Sequence, residues 1–146
     1  MPQPFPKKLH SLLPLLSLLG LADASYLTWE HFLGQLPPCT ISGCELVLTS
    51  SYSQVWGVPL AFLGALFYLV MLLILCFIKY QGASKLRLIL LPWSGVGLLT
   101  SLTLTYIQFY VIGAICPYCL FSAGINFVLF IIAWSFFNET ARVQAV

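Results

Sequence analysis

The sequence predicts an all-α integral membrane protein, a four-transmembrane-helix bundle whose outer loop carries a cysteine pair. Three observations predict it. Hydrophobic residues make up 60% of the chain and charged residues only 7%, against about one-quarter charged in a soluble domain. A chain of 146 residues has no interior large enough for that apolar surface, so lipid is its solvent. The apolar residues gather into four runs, each near the ~20 residues that cross a bilayer. All six Lys and Arg residues fall at one set of ends of these runs. The length suits a single membrane domain over 1–146. A net charge of +2 gives no basis for nucleic-acid binding.

The elements follow in order. "MPQPFPKK" is a proline-broken start, expected to be mobile. The first run, about 12–33, carries Asp23 near its middle and Glu30 and His31 near its outer end. It is too long for a cleaved signal peptide, and no small-residue cleavage site precedes a soluble domain. In the loop that follows, Pro37–Pro38 forbids helix and stiffens the approach to Cys39. "CTISGC" reads as a turn and "ELVLTSSYS" as one or two amphipathic helical turns at the membrane surface. Trp56 is an interfacial anchor before the second run, about 58–78. "KYQGASKLR" is the inner turn. Pro92 and Trp93 begin the third span, about 88–112, which ends in the aromatic "TYIQFYVIG". The fourth run covers about 116–137. Gly64, Ala65, Gly95 and Gly97 let these helices approach closely.

Lys7 and Lys8 precede the first run, Lys79, Lys85 and Arg87 lie between the second and third, and Arg142 follows the fourth. With four runs these positions share one side, and the positive-inside rule makes it the cytoplasm. Both termini are then cytoplasmic. Cys39, Cys44, Cys116 and Cys119 face the opposite compartment, where disulfides persist. Cys76, near the cytoplasmic end of the second run, reads as a buried apolar residue.

"CPYC", at the head of the fourth run, has the spacing of a dithiol redox centre. The two sulfurs can close a small ring, and a helix N-terminus stabilises a thiolate. Pro117 suits a first helical turn, where its missing N–H costs nothing. A structural disulfide remains open, as does a zinc site built from all four outer cysteines; a metal is not expected, because such sites are seldom built at a membrane surface. Two pairs on one side suggest a relay. A surface pair can meet a protein thiol, a pair at the bilayer edge can meet a lipid-soluble quinone, and thiolate attack through a mixed disulfide connects them. Asp23 could serve as a proton route or simply be held between helices. Tyr106, Gln108, Phe109 and Tyr110 are candidates for lining a quinone pocket or for packing. Glu45 reads as a solvated loop charge.

The ordered set resembles vitamin K epoxide reductase (VKOR) and its bacterial homologues. It comprises Cys39 and Cys44 in the outer loop, Ser50 six residues later, and Cys116–Cys119 at the start of the last span. "GVPLAFLGALFY" and "CPYCLFSAGIN" are similar to the bacterial members, and the resemblance covers nearly the whole chain. It implies that Cys39 exchanges with a thioredoxin-fold (DsbA-like) partner, that Cys44 passes electrons to Cys116, and that Cys119 faces a quinone of ubiquinone, menaquinone or vitamin K type. Ser50 is then near the quinone pocket. Animal enzymes place Asn and Tyr in that pocket where this chain has Leu60 and Ala123. The departure favours plain quinone reduction, in support of protein disulfide formation, over reduction of vitamin K epoxide. Many bacterial homologues carry a fused thioredoxin-like domain that this sequence does not include, so the resemblance implies a partner expected to be a separate chain. DsbB has the opposite order of cysteine pairs and fits less well, and a scaffold stapled by disulfides would show no coupling to quinone. The implied setting is a bacterial inner membrane with the cysteines facing the periplasm; an endoplasmic reticulum membrane would follow the same logic.

Overall fold

A computed structural model describes residues 7–81 and 84–144, with side chains over 11–80 and 88–138. The proline-broken start and the middle of the inner turn lie outside the described residues, as do the side chains of Lys7, Lys8, Lys85, Arg87 and Arg142.

Helix α1 spans Lys7–Leu33. The loop after it holds α2 (Cys44–Thr49), a 3-10 turn (Ser51–Ser53) and a two-rung hairpin of β1 (Gln54–Val55) and β2 (Val58–Pro59). Three long helices follow: α3 (Leu60–Gln81), α4 (Ser84–Tyr106) and α5 (Pro117–Gln144). A π-helical turn, Ile107–Ile112, continues α4. The membrane-crossing stretches are Ser11–Leu33, Leu60–Tyr80, Leu88–Ile112 and Pro117–Asn138. At about 1.5 Å per residue each is over 30 Å long, enough for the hydrocarbon core. Two starts differ from the sequence reading. Val58 and Pro59 pair with the hairpin instead of opening the second helix. Pro92 lies inside α4 rather than at its start; a membrane helix tolerates this because neighbouring groups re-satisfy the freed carbonyl.

Helix α1 packs on α3, α4 packs on α5, and α1 also reaches α5. The buried seam includes Leu13, Ala24, Tyr68, Met71, Ile125 and Leu129. Gly64 sits against Ala24, and a side chain on Gly97 would run into the ring of Phe67. That ring stacks on Trp93 at 5.4 Å. The polarity is inverted relative to a soluble fold. Leu15, Leu99 and Phe127 are exposed, whereas Ser17, Ser94 and Asn126 are buried. Ser17 and Thr28 donate to the carbonyls of Leu13 and Ala24, so neither hydroxyl is left dry and unpaired. Cys76 corrects an expectation: it is exposed on α3 rather than buried. An apolar thiol is compatible with that lipid-facing position for the same reason it is compatible with a core. Tyr106, Phe109 and Tyr110 also face outward, with Tyr106 and Tyr110 stacked at 4.8 Å.

Candidate functional site

Two backbone turns bring the cysteine pairs together. Gly43, at φ 104°, closes the "CTISGC" turn just before α2 and leaves Cys44 as the first residue of that helix. Gly113, at φ 68°, ends the π-helical turn and lets the chain reverse toward Cys116. Both conformations are ones that L side chains rarely adopt. Cys39 and Cys44 form a disulfide, with Cα atoms 5.9 Å apart. Cys116 stands immediately before α5, and Pro117 is that helix's first residue. The Sγ atoms of Cys44 and Cys116 are 3.9 Å apart.

The four sulfurs sit in graded surroundings. Cys44 and Cys116 are both 0% exposed, packed with Val47 and Ala114 in a small apolar cluster. Cys39 and Cys119 lie at its margins, each partly exposed. Cys116 and Cys119 are both free thiols. A hydrogen bond from the Cys119 thiol draws the Cys116 thiol down to about 7. Burial opposes this, and the backbone N–H groups of Cys119 and Tyr118 assist it. A thiolate at Cys116 is therefore aimed at a disulfide sulfur almost in contact with it, the geometry that thiol–disulfide exchange requires.

Gln108 holds this arrangement from α4's side. It is 3% exposed, and its Oε1 accepts the Cys116 N–H at 3.1 Å. Its side chain also hydrogen-bonds Cys119, and its carbonyl accepts the Ala114 N–H at 3.1 Å. One residue thus positions both members of "CPYC". It sits in the π-helical turn, a distortion that recurs at functional sites because it re-aims a side chain. On the loop side, Tyr118 donates to the Pro38 carbonyl at 3.0 Å, tying the approach to Cys39 onto the head of α5.

Beside Cys119 opens a cavity of about 390 Å³ between the four long helices and the loop. Its size is that of a small-molecule site. Ser50, Leu60 and Gln108 line it, as does Cys119; Ala123 and Cys116 do not. Ser50 already donates its hydroxyl to the Val47 carbonyl at 2.7 Å. Further polar groups line it that the sequence reading passed over. Tyr68 Oη and Ser122 Oγ are 2.8 Å apart, and Asn126 donates to Ser101 Oγ at 2.7 Å. A signal for two of them was present: Cys119, Ser122 and Asn126 recur at helical spacing on one face of α5. Asp23 lines the same cavity. A carboxylate near the middle of a span costs about 3 kcal/mol to insert, so its position needs a reason. An apolar cleft with a few polar points, open to one free thiol, fits a quinone ring. Among the described residues no cluster of His, Cys, Asp or Glu could hold a metal ion.

Four membrane helices around two adjoining cysteine pairs define a class, that of redox proteins embedded in the bilayer. The model of the vitamin K epoxide reductase family matches residues 11–134. The chain belongs to that family, and membership implies an oxidoreductase of the disulfide and quinone type in the membrane. Comparison with curated proteins gave no match.

Proposed function

We propose that the protein relays electrons from a separate thioredoxin-fold protein, through Cys39–Cys44 and then Cys116–Cys119, to a quinone, and so supports disulfide formation in other proteins. The observation that carries this reading is the 3.9 Å approach of Cys44 and Cys116, with Cys39 and Cys119 at the margins of the same cluster. A partner thiolate attacks Cys39, the half-exposed member of the loop disulfide, and Cys44 leaves as thiolate. The partner's second thiol then attacks the partner sulfur of this mixed disulfide, forming the partner's own disulfide and releasing Cys39 as thiolate, so that Cys39 and Cys44 are both reduced. Cys44 attacks Cys116 of an oxidised "CPYC" and Cys119 leaves as thiolate; Cys39 then attacks Cys44, restoring the loop disulfide and releasing Cys116 as thiolate. Gln108 keeps Cys116 facing Cys44 and Cys119 facing the cavity throughout. A bound quinone supplies the two-electron oxidation that returns Cys116 and Cys119 to a disulfide, with Ser50, Leu60 and Gln108 among the groups that would hold it.

The cysteines face the periplasm, or the equivalent oxidising compartment, and both termini face the cytoplasm. The supporting argument is the placement of all six basic residues along the sequence. Leu60 carries no hydrogen-bonding group on the cavity wall, and Ala123 supplies none. Epoxide reduction needs an acid for the ring oxygen, so plain quinone reduction is the expected activity. The test is purified protein with a reduced thioredoxin-fold protein as electron donor, given a short-chain benzoquinone or vitamin K epoxide in turn. Quinone turnover well above epoxide turnover is expected. Quinone reduction that survives replacement of Cys44 or Cys116 by Ser would refute the relay.

A further inference from the structure

The relay accounts for the sulfurs and leaves Asp23 unused. Asp23 is half-buried near the middle of the first membrane span. It opens on the same cavity as Cys119. Its register on α1 is inward: Gly20, Ala24 and Leu27 beside it are all buried. Gly20 has no side chain because the ring of Tyr68 occupies that space, and this brings Tyr68 alongside the Asp23 face. Among the described residues Asp23 forms no ion pair and no hydrogen bond. The titratable groups within its electrostatic reach are Tyr68 on α3 and Cys116 and Cys119 at the head of α5, and His31 on α1, Tyr52 in the loop and Tyr118 on α5 line the same cavity. From α4 the cavity receives Thr100, Ser101 and Gln108, none of which titrates. A carboxyl group held without a partner inside the bilayer, facing both a reactive thiol pair and the cavity that pair opens into, is placed to carry a proton rather than to hold structure.

We propose that Asp23 is the proton carrier of quinone reduction, holding a proton taken from the Cys116–Cys119 dithiol and delivering it to a quinone oxygen in the cavity as those two sulfurs close their disulfide. The inference rests on the quinone reading above. The step balances. Two thiols lose two electrons and two protons, the quinone gains both, and Asp23 ends each turnover as it began. The electrostatics agree in sign. An ionised Asp23 disfavours a thiolate at Cys116, so by reciprocity a thiolate there favours the protonated carboxyl, and loss of electrons from the sulfurs releases that proton when it is needed. The arrangement also keeps net charge from building up in a low-dielectric space.

The test compares wild type with Asp23→Asn, which keeps the shape and cannot carry the proton, and Asp23→Glu, which can. Protein reduced by dithiothreitol is mixed with decylubiquinone. Quinone reduction should fall roughly hundredfold in Asp23→Asn, in the range of one lost acid–base group, and recover substantially in Asp23→Glu. The pH dependence of the wild-type rate should contain a limb that the Asp23→Asn rate lacks. A second readout needs no quinone. Infrared difference spectra between oxidised and reduced protein should contain a protonated-carboxyl band that is absent in Asp23→Asn and shifted in Asp23→Glu. Wild-type turnover in Asp23→Asn with an unchanged pH profile overturns the proposal and leaves the relay standing. Loss of activity in both variants together with lowered thermal stability assigns Asp23 a structural role and overturns it too. Wild-type protein that reduces no quinone removes the underlying reading and the proposal with it.

Discussion

At the scale of single residues, the reactivity of Cys116 depends on its neighbour three positions on. The hydrogen bond from Cys119 is the largest influence drawing the Cys116 thiol down from the ordinary 9.0 to about 7. The thiolate, which is the nucleophile, therefore predominates above about pH 7. Removing Cys119 also removes the resolving thiol, so a Cys44–Cys116 disulfide should accumulate with Cys39 set free. In Cys119→Ser, whose hydroxyl still donates, mass mapping should find this disulfide forming with a midpoint near the wild-type value. In Cys119→Ala the midpoint should move up toward that of an ordinary thiol. Equal midpoints in the two variants would show that the backbone N–H groups, rather than the side chain, set the value. Cys116 and Cys119 could be picked out from the sequence because sulfur chemistry at two-residue spacing has few other uses, and Cys39 and Cys44 because they fall on the same side of the membrane. Asn126 and Tyr68 could not, since a buried amide or phenol in an apolar run looks the same whether it faces a neighbouring helix or a cavity.

At the scale of elements, the long helices were legible and the turns that aim the cysteines were not. Apolar length alone marks a span, and Leu88–Ile112 matches the third run. Its last turn is π-helical, and nothing in "IQFYVI" distinguishes that from an α-helical turn. The hairpin tip is equally hidden. Trp56 sits at φ 53° and is fully exposed, a conformation unfavourable for a bulky residue, and only its value as an interfacial anchor could be read from the sequence. The most consequential turn is the one at Gly43. An added Cβ would come within 3.0 Å of the Ala114 Cβ, and the backbone there has φ 104°. Gly43→Ala should cost about 1–2 kcal/mol through the backbone term alone. It should also push Cys44 away from Cys116. The expected result is a lower thermal midpoint together with slowed internal exchange, measured as the rate at which reduced Cys39–Cys44 reoxidises through the second pair. Loss of stability with unchanged exchange would mean that the turn relaxes outward without moving α2.

At the scale of the whole molecule, composition alone assigned the solvent, and the inverted burial of polar and apolar side chains agrees with it. The relative placement of the loop and the head of α5 was not legible, because it depends on contacts between residues about 70 positions apart, such as Cys44 with Cys116. Orientation has a direct test. A membrane-impermeant maleimide applied to reduced intact cells should label Cys39 from outside, and labelling only after lysis would reverse the assignment. Cys76, exposed on α3 near the other end of the bundle, serves as the internal control if replaced by Ser in a parallel sample. The burial of the four sulfurs has a consequence for fidelity. The two middle sulfurs are sealed from solvent, and only the outer two are open, one toward the loop surface and one toward the cavity. Small dissolved thiols and oxidants can therefore touch the ends of the path but not its centre. In the proposed relay, electrons that enter at Cys39 are thereby kept from leaking sideways before Cys119, and a cell's free thiol pool is kept from short-circuiting the bridge between the two pairs.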